Sequence, residues 1–204
     1  ELESIVKKIF SNRLNNSSPD FSSLDSVMSF GELLSSFIIS EILYSRGVAT
    51  KFIDSRTVIK TDDHFNEANV NLEKTYKLIA ETLKDKYPLV VMGGFIASTD
   101  EGVTTTLGRG GSDYTASLVG AGVDASVVEI WTDVDGLMTA DPRQDKEAVL
   151  IPEISYEEAE RMALAGAKVI HPKTMKPARL KNIPILIKNT FNPKALGTKI
   201  RNEK

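Results

Sequence analysis

The alternation of strand-like and helix-like segments along this chain predicts an α/β fold, a three-layer α/β/α sandwich around a largely parallel central sheet. Leu89-Val90-Val91-Met92 is a short apolar run closing on Gly93-Gly94, the pattern of a strand buried on both faces. Val127 to Trp131 is a second such strand, opening into a polar loop, and Ile185 to Lys188 is a late third, with helical patterns in between.

Leu2, Ile5, Val6, Ile9 and Phe10 recur at helical spacing and predict an opening amphipathic helix. Ser11 to Ser26 is polar, with Asn15-Asn16-Ser17-Ser18-Pro19, and reads as a loop. A helix is expected from about Met28 to Arg46, with Phe30, Leu33, Leu34, Phe37, Ile38 and Leu43 inward and Gly47 as its C-terminal cap. A short strand follows at Lys51-Phe52-Ile53. Leu72, Tyr76, Ile79 and Leu83 mark a helix that should break at Tyr87, because Pro88 disfavours helical backbone before it. Asp100-Glu101-Gly102, between β-prone residues within Ile96 to Thr106, predicts a hairpin. Gly108-Arg109-Gly110-Gly111 should lead into a helix beginning near Ser112. Ser155 and Glu158 are spaced as a capping box for a helix ending near Gly166, and Pro172 suits the first turn of another. No internal repeat or low-complexity segment is present.

The composition narrows the chemistry. The 204 residues carry a net charge of -3, against the basic excess of a nucleic-acid-binding surface. There is no cysteine, which removes disulfides, thiol catalysis and Cys-based metal sites. His64 and His171 are too few imidazoles for a structural zinc site, and no metal site is expected. No apolar run is expected to reach the roughly 18 residues of a membrane span. Glu1-Leu2-Glu3-Ser4 is neither a signal peptide nor an initiating methionine, so a piece of a longer cytoplasmic protein is the expectation.

Three stretches carry the chemistry. In Thr104-Thr105-Thr106-Leu107-Gly108-Arg109-Gly110-Gly111-Ser112-Asp113, glycines allow a ligand close to the backbone and the following helix N-terminus offers free N–H groups to an anion. Arg109 adds a bidentate cation for carboxylate or phosphate. A tight turn between hairpin and helix is the plainer reading. The Gly-Lys-Ser/Thr ending of a Walker loop is absent, and no ribose-binding acid follows as a dinucleotide fold requires. The second stretch, Trp131 to Arg143, starts at the C-terminal end of a strand, where open α/β sheets hold ligands. Thr132 and Asp133 can hydrogen-bond a base or ribose and Arg143 can reach phosphates; a polar loop with an Asp-Pro turn is the alternative. Asp133, Asp135 and Asp141 lack the calcium-loop spacing. In the third, Gly166-Ala167-Lys168-Val169-Ile170-His171-Pro172, Lys168 can reach a transferring phosphoryl group or stand as a solvated charge, while His171 reads as structural.

Together with Ser29-Phe30-Gly31-Glu32, Gly94-Phe95-Ile96 and Lys188-Asn189-Thr190-Phe191-Asn192-Pro193, these stretches closely resemble the aspartate kinases of the amino acid kinase family, over about Ser29 to Ile200. The resemblance implies phosphoryl transfer from ATP to the β-carboxylate of L-aspartate, giving 4-phospho-L-aspartate, the first step toward lysine, threonine and methionine. It implies catalytic roles for Lys168, Arg109 and Asp113. Glu32 would pair with the substrate ammonium and Arg109 with a substrate carboxylate, with Phe95, Gly110, Gly111, Ser112 and Asp113 shaping that pocket. Thr132, Asp133, Met138, Asp141, Pro142, Arg143, Lys168 and Val169 would hold the nucleotide, with Mg²⁺ bridging the ATP phosphates.

Two departures stand out. The family's Lys-Phe-Gly-Gly-Thr-Ser strand is absent, and Met138 stands where many relatives have tyrosine. The expectation is one catalytic domain over residues 1–204, truncated at its first strand and before its regulatory ACT domains, and poorly active alone. Amino-acid effectors would act through the missing ACT domains, and the parent would be a homo-oligomer. Arg143-Gln144 and Ile187 to Thr190 also occur in forms fused to homoserine dehydrogenase. The rival readings are a carboxylate kinase for glutamate or acetylglutamate, and a non-catalytic nucleotide- or amino-acid-binding domain.

Overall fold

The computed structural model describes residues 3–4, 7, 20–84, 87–140, 145–166 and 170–203. The chain divides into two compact units, Glu1–Ser112 and Asp113–Lys204. Most of the opening helix, including Leu2, Ile5, Val6, Ile9 and Phe10, lies outside the described residues.

In the first unit, α1 (Phe21–Ser45) starts where Asp20 caps it by accepting from the Ser23 N–H. The segment read as loop is therefore helix from Phe21 onward, because an aspartate N-cap satisfies a free N–H of the first turn. At the other end Arg46 is the C-cap and Gly47 takes φ +84°, as expected of that glycine. The face assignment is overturned at three of its six positions, while Phe30, Leu33 and Leu43 are half-buried. Leu34, Phe37 and Ile38 are exposed, whereas Ser23, Asp25, Ser29, Ser36 and Ser40 are buried. This face lies against β1 (Lys51–Phe52), β2 (Val90–Val91) and β4 (Thr104–Thr106). Serine allows that close approach because its hydroxyl finds an acceptor in its own helix. Ser29 Oγ donates to the Ser26 carbonyl at 2.7 Å and Ser36 Oγ to that of Glu32 at 2.5 Å. By length and composition α1 could cross a membrane, contrary to the expectation of no such run.

The strands β1 and β2 pair in parallel, Lys51 with Val90 and Phe52 with Val91. Between them run a 3₁₀ turn at Ser55–Thr57 and α2 (Leu72–Leu83), capped by Asn71. Helix α2 ends at Leu83 with Lys84 as C-cap, before the break expected at Tyr87. The predicted hairpin is present: β3 (Ile96–Ser98) pairs antiparallel with β4, Ala97 opposite Thr105.

Helix α3 (Gly111–Gly122) enters the second unit, followed by β5 (Val128–Thr132), β6 (Glu153–Ser155), α4 (Tyr156–Leu164), α5 (Pro172–Leu180), β7 (Ile185–Asn189) and β8 (Thr198–Arg201). The sheet order is β5-β7-β8-β6, with β5–β7 and β6–β8 parallel and β7–β8 antiparallel. Alternation puts Val128, Ile130, Ile185, Ile187 and Ile200 into the core with Ile154, Tyr156, Met175 and Ala178. Glu129, Trp131 and Lys199 point the other way and are exposed. Ser155 caps α4, accepting from the Glu158 N–H at 3.1 Å, and Gly166 follows the helix at φ +108°. His171 caps α5 through Nδ1, which accepts from the Lys173 N–H at 3.2 Å, so its structural reading holds. Pro177 interrupts α5, and the next N–H, of Ala178, donates to Ser117 Oγ at 3.2 Å. The short strands β6 and β8 were not anticipated. The α/β class and the parallel pairings stand, although the strands form two pairs and one four-stranded sheet.

Candidate active site

A strap from Gly93 to Phe95 links Glu32 to the glycine-rich loop in the first unit. A Cβ on Gly93 would lie 3.1 Å from the Glu32 carbonyl oxygen. On Gly94 it would lie 2.8 Å from the Ser112 Cα, and on Gly111 2.8 Å from Phe95 Cδ2. Two of these approaches are closer than any side chain tolerates, so Gly94 and Gly111 are required by packing between the strap and the start of α3. The strap is held from below, where Ser55 Oγ donates to the Gly93 carbonyl, and from the side, where the Leu107 N–H donates to the Phe95 carbonyl at 2.9 Å. Phe95 sits at φ +72°, a left-handed conformation that a bulky residue holds only when its surroundings fix it.

The structure therefore brings Glu32, Phe95, Gly111 and Ser112 against the strap, with Arg109 and Gly110 in the turn before α3. Neither the Glu32 carboxylate nor the Arg109 guanidinium has a hydrogen-bond or ion-pair partner among the described residues. Arg109 is exposed and Glu32 half-buried. Two uncommitted charges of opposite sign, Glu32 beside the strap and Arg109 in the glycine-rich loop, suit a zwitterion.

Sequence reasoning missed the residue that fixes this loop. Asp25 is fully buried in α1 and accepts three hydrogen bonds, each 2.9 Å long: from the N–H and hydroxyl of Thr106 and from the Asn66 N–H. Asn66 lies at φ +71°, and the adjoining Ala68 N–H donates to the Thr106 carbonyl at 2.9 Å. The carboxylate thus ties helix, loop and β4 together just before Leu107 and Gly108. Its only trace in the sequence is an acid inside a serine-rich stretch.

In the second unit, Asp113 lies in the first turn of α3, and burial raises its carboxyl above the usual carboxylate range. Thr132 ends β5 half-buried, and its hydroxyl donates to Asp133 Oδ1 at 3.2 Å. Met138 pairs with Leu150 in an isolated antiparallel bridge, fixing the far end of that loop. Thr132 and Asp133 lie at the C-terminal end of β5, which is parallel to β7. Asp141, Pro142, Arg143, Lys168 and Val169 lie outside the described residues. Among the described residues no three His, Asp or Glu side chains form a metal cluster.

The amino acid kinase family model matches residues 3–189. The chain is 44% identical to lysine-sensitive aspartokinase 3 of Escherichia coli over 181 residues, covering 88% of this chain and 40% of that protein. It is 38% identical over 209 residues to the bifunctional aspartokinase/homoserine dehydrogenase of Buchnera aphidicola, covering 98% of this chain and 26% of the relative. The crystal structure of E. coli aspartokinase III with aspartate and ADP superposes with a TM-score of 0.87 at 38% identity, over the whole of this chain and 46% of that one. The chain thus spans less than half the length of these relatives. Motif order, strap geometry and a family match across most of the sequence agree: the chain belongs to the amino acid kinase family.

Proposed function

We propose that this chain forms the catalytic domain of an aspartate kinase, which transfers the γ-phosphoryl group of ATP to the β-carboxylate of L-aspartate. The observation that carries the proposal is the pair of uncommitted charges, Glu32 against the Gly93–Phe95 strap and Arg109 in the glycine-rich loop whose Gly111 packs on Phe95. Glu32 meets the α-ammonium and Arg109 the α-carboxylate, which leaves the β-carboxylate free to react. The E. coli relative was crystallised with aspartate and ADP, the substrate and nucleotide this reading requires.

The nucleophile needs no general base. A carboxylate with a reference pKa of ~3.9 is ionised at neutral pH, so no proton has to leave before it attacks. The γ-phosphorus–oxygen bond to ADP breaks as the bond to the β-carboxylate oxygen forms, and ADP departs with the electron pair. The barrier lies in bringing two anions together, and positioning and positive charge lower it. Arg109 and the N–H groups at the start of α3 act on the amino-acid side. Thr132 and Asp133 hold the nucleotide, with Arg143 and Lys168 assigned to its phosphates and to the charge that develops in transfer. Mg²⁺ would neutralise the nucleotide phosphates when bound. Asp133 and Asp135 are exposed carboxylates at this loop, which fits an ion held mainly by phosphates, water and one or two carboxylates.

The name of the E. coli relative, lysine-sensitive, supports control of the full-length protein by an amino-acid effector. Placement in the pathway to lysine, threonine and methionine, and a homo-oligomeric parent, belong to the same reading. The test is MgATP-dependent acyl-phosphate formation, trapped with hydroxylamine, by the full-length protein carrying this chain. L-aspartate, L-glutamate and N-acetyl-L-glutamate are offered in parallel. Hydroxamate with aspartate alone is expected. Product with another acid reassigns the substrate, and none with any acid leaves a binding domain.

A further inference from the structure

We infer that Asp135 is a positioning residue for nucleotide binding, clamping the β7–β8 connection against the loop that carries Thr132 and Asp133. Asp135 Oδ1 accepts from Asn189 Nδ2 at 2.8 Å and from Asn192 Nδ2 at 3.2 Å. Asn189 in turn accepts from the Phe191 N–H through Oδ1 at 2.9 Å, so one side chain sets both the turn and its attachment. The Thr190 N–H donates to the Thr132 carbonyl at 2.8 Å, directly beside the proposed nucleotide contact. A second anchor joins the same loop to the start of β8. The Leu137 N–H donates to Thr198 Oγ1 at 2.8 Å, and that hydroxyl donates to the Ile151 carbonyl at 2.7 Å. Gly136 sits against Thr198 so closely that a Cβ there would collide with its hydroxyl.

The two anchors differ in kind. Thr198 is buried and is part of the sheet, whereas Asp135, Asn192 and Phe191 are exposed. The Thr198 anchor holds the end of the loop whatever the ligand. Thr132 is held in the sheet by its pairing with Asn189, whereas the exposed Asp135 clamp has no core to support it, and its hydrogen bonds steady Asp133 and the loop beyond it for binding. A loop free to sample other conformations binds less tightly by the fraction of time it is competent. Since both asparagines donate to one oxygen of Asp135, acceptance rather than charge carries the clamp, and asparagine at that position preserves it.

The inference rests on the nucleotide role proposed for Thr132 and Asp133, and the test separates the two. Calorimetric binding of MgADP to the full-length protein, which does not depend on the acceptor acid, is measured beside the KM for MgATP and for the amino-acid substrate. Asp135→Ala is expected to weaken MgADP and raise the KM for MgATP roughly fivefold to tenfold, as loss of one or two hydrogen bonds does. The KM for the amino acid should stay within about twofold. Asp135→Asn should match the parent, and adding Asn189→Ala and Asn192→Ala to Asp135→Ala should cost nothing more, as for members of one interaction. Unchanged nucleotide binding in Asp135→Ala, equal damage from Asp135→Asn, equal rises in both KM values, or multiplying effects would each overturn it. Parent protein that binds no MgADP would instead remove the nucleotide role itself.

Discussion

Asp25 and Thr106 are joined by two hydrogen bonds of 2.9 Å, from the N–H and the hydroxyl of the threonine to the two carboxylate oxygens of an aspartate with no exposed surface. The pair couples α1, which carries Glu32, to the loop that carries Arg109. Truncation to Asp25→Ala leaves the N–H and the hydroxyl of Thr106 buried without this acceptor. Each orphan costs about 1–3 kcal/mol, so a loss of roughly 2–6 kcal/mol is expected in chemical denaturation. Asp25→Asn should lose less, because its oxygen still accepts from the Thr106 and Asn66 N–H groups while its amide donates to the Thr106 hydroxyl.

Gly94→Ala should damage both stability and substrate binding. Its Cβ would meet the Ser112 Cα at 2.8 Å, a backbone atom that cannot rotate away. Overpacking of this kind costs roughly 1–3 kcal/mol, and the displaced start of α3 should raise the KM for the amino acid more than that for MgATP. Thermal denaturation and the two KM values check it.

Arg109→Ala should lower kcat/KM for the amino acid about tenfold to a hundredfold, the range for losing a charged hydrogen bond of ~1.5–3 kcal/mol. Arg109→Lys should recover little of this, since an ammonium cannot reproduce a bidentate guanidinium. Steady-state kinetics with varied amino acid at saturating MgATP decides both.

Asp113 gives a pH signature. Burial raises its pKa in the folded state, so the folded chain holds the proton more tightly than the unfolded one. Its effect on stability is therefore most favourable below the ordinary carboxylate pKa of ~3.9 and worsens as pH rises through the window above it. Asp113→Asn removes that slope. Relative to the parent, its stability should increase as pH rises across the window and level off beyond it, as followed by urea denaturation at a series of pH values.

The motifs assigned to chemistry stand out because their residue types are unusual together: glycines before a helix, an arginine within them, and Thr132-Asp133 after an apolar strand. Helix positions were legible from periodicity and start signals, as at Ser155 and Pro172. The face of α1 was not, since apolar content was taken to mark the buried side. Ser29, Ser36 and Ser40 are buried because strands approach too closely for larger residues, and no local pattern records that distance. Asp25 escaped for a related reason, since its partners lie 41 and 81 residues away. The β6 and β8 strands span three and four residues and carry too little alternation to be recognised before the sheet is assembled.

The most direct measurement of the central claim is hydroxamate formation by the full-length protein with L-aspartate and, separately, with N-acetyl-L-aspartate. The two acids share the reacting β-carboxylate and differ at the ammonium assigned to Glu32. The account predicts rapid product from L-aspartate, little from the acetylated acid, and loss of that preference in Glu32→Ala. Equal use of both acids by the parent protein, or no aspartate-dependent product at all, would contradict it.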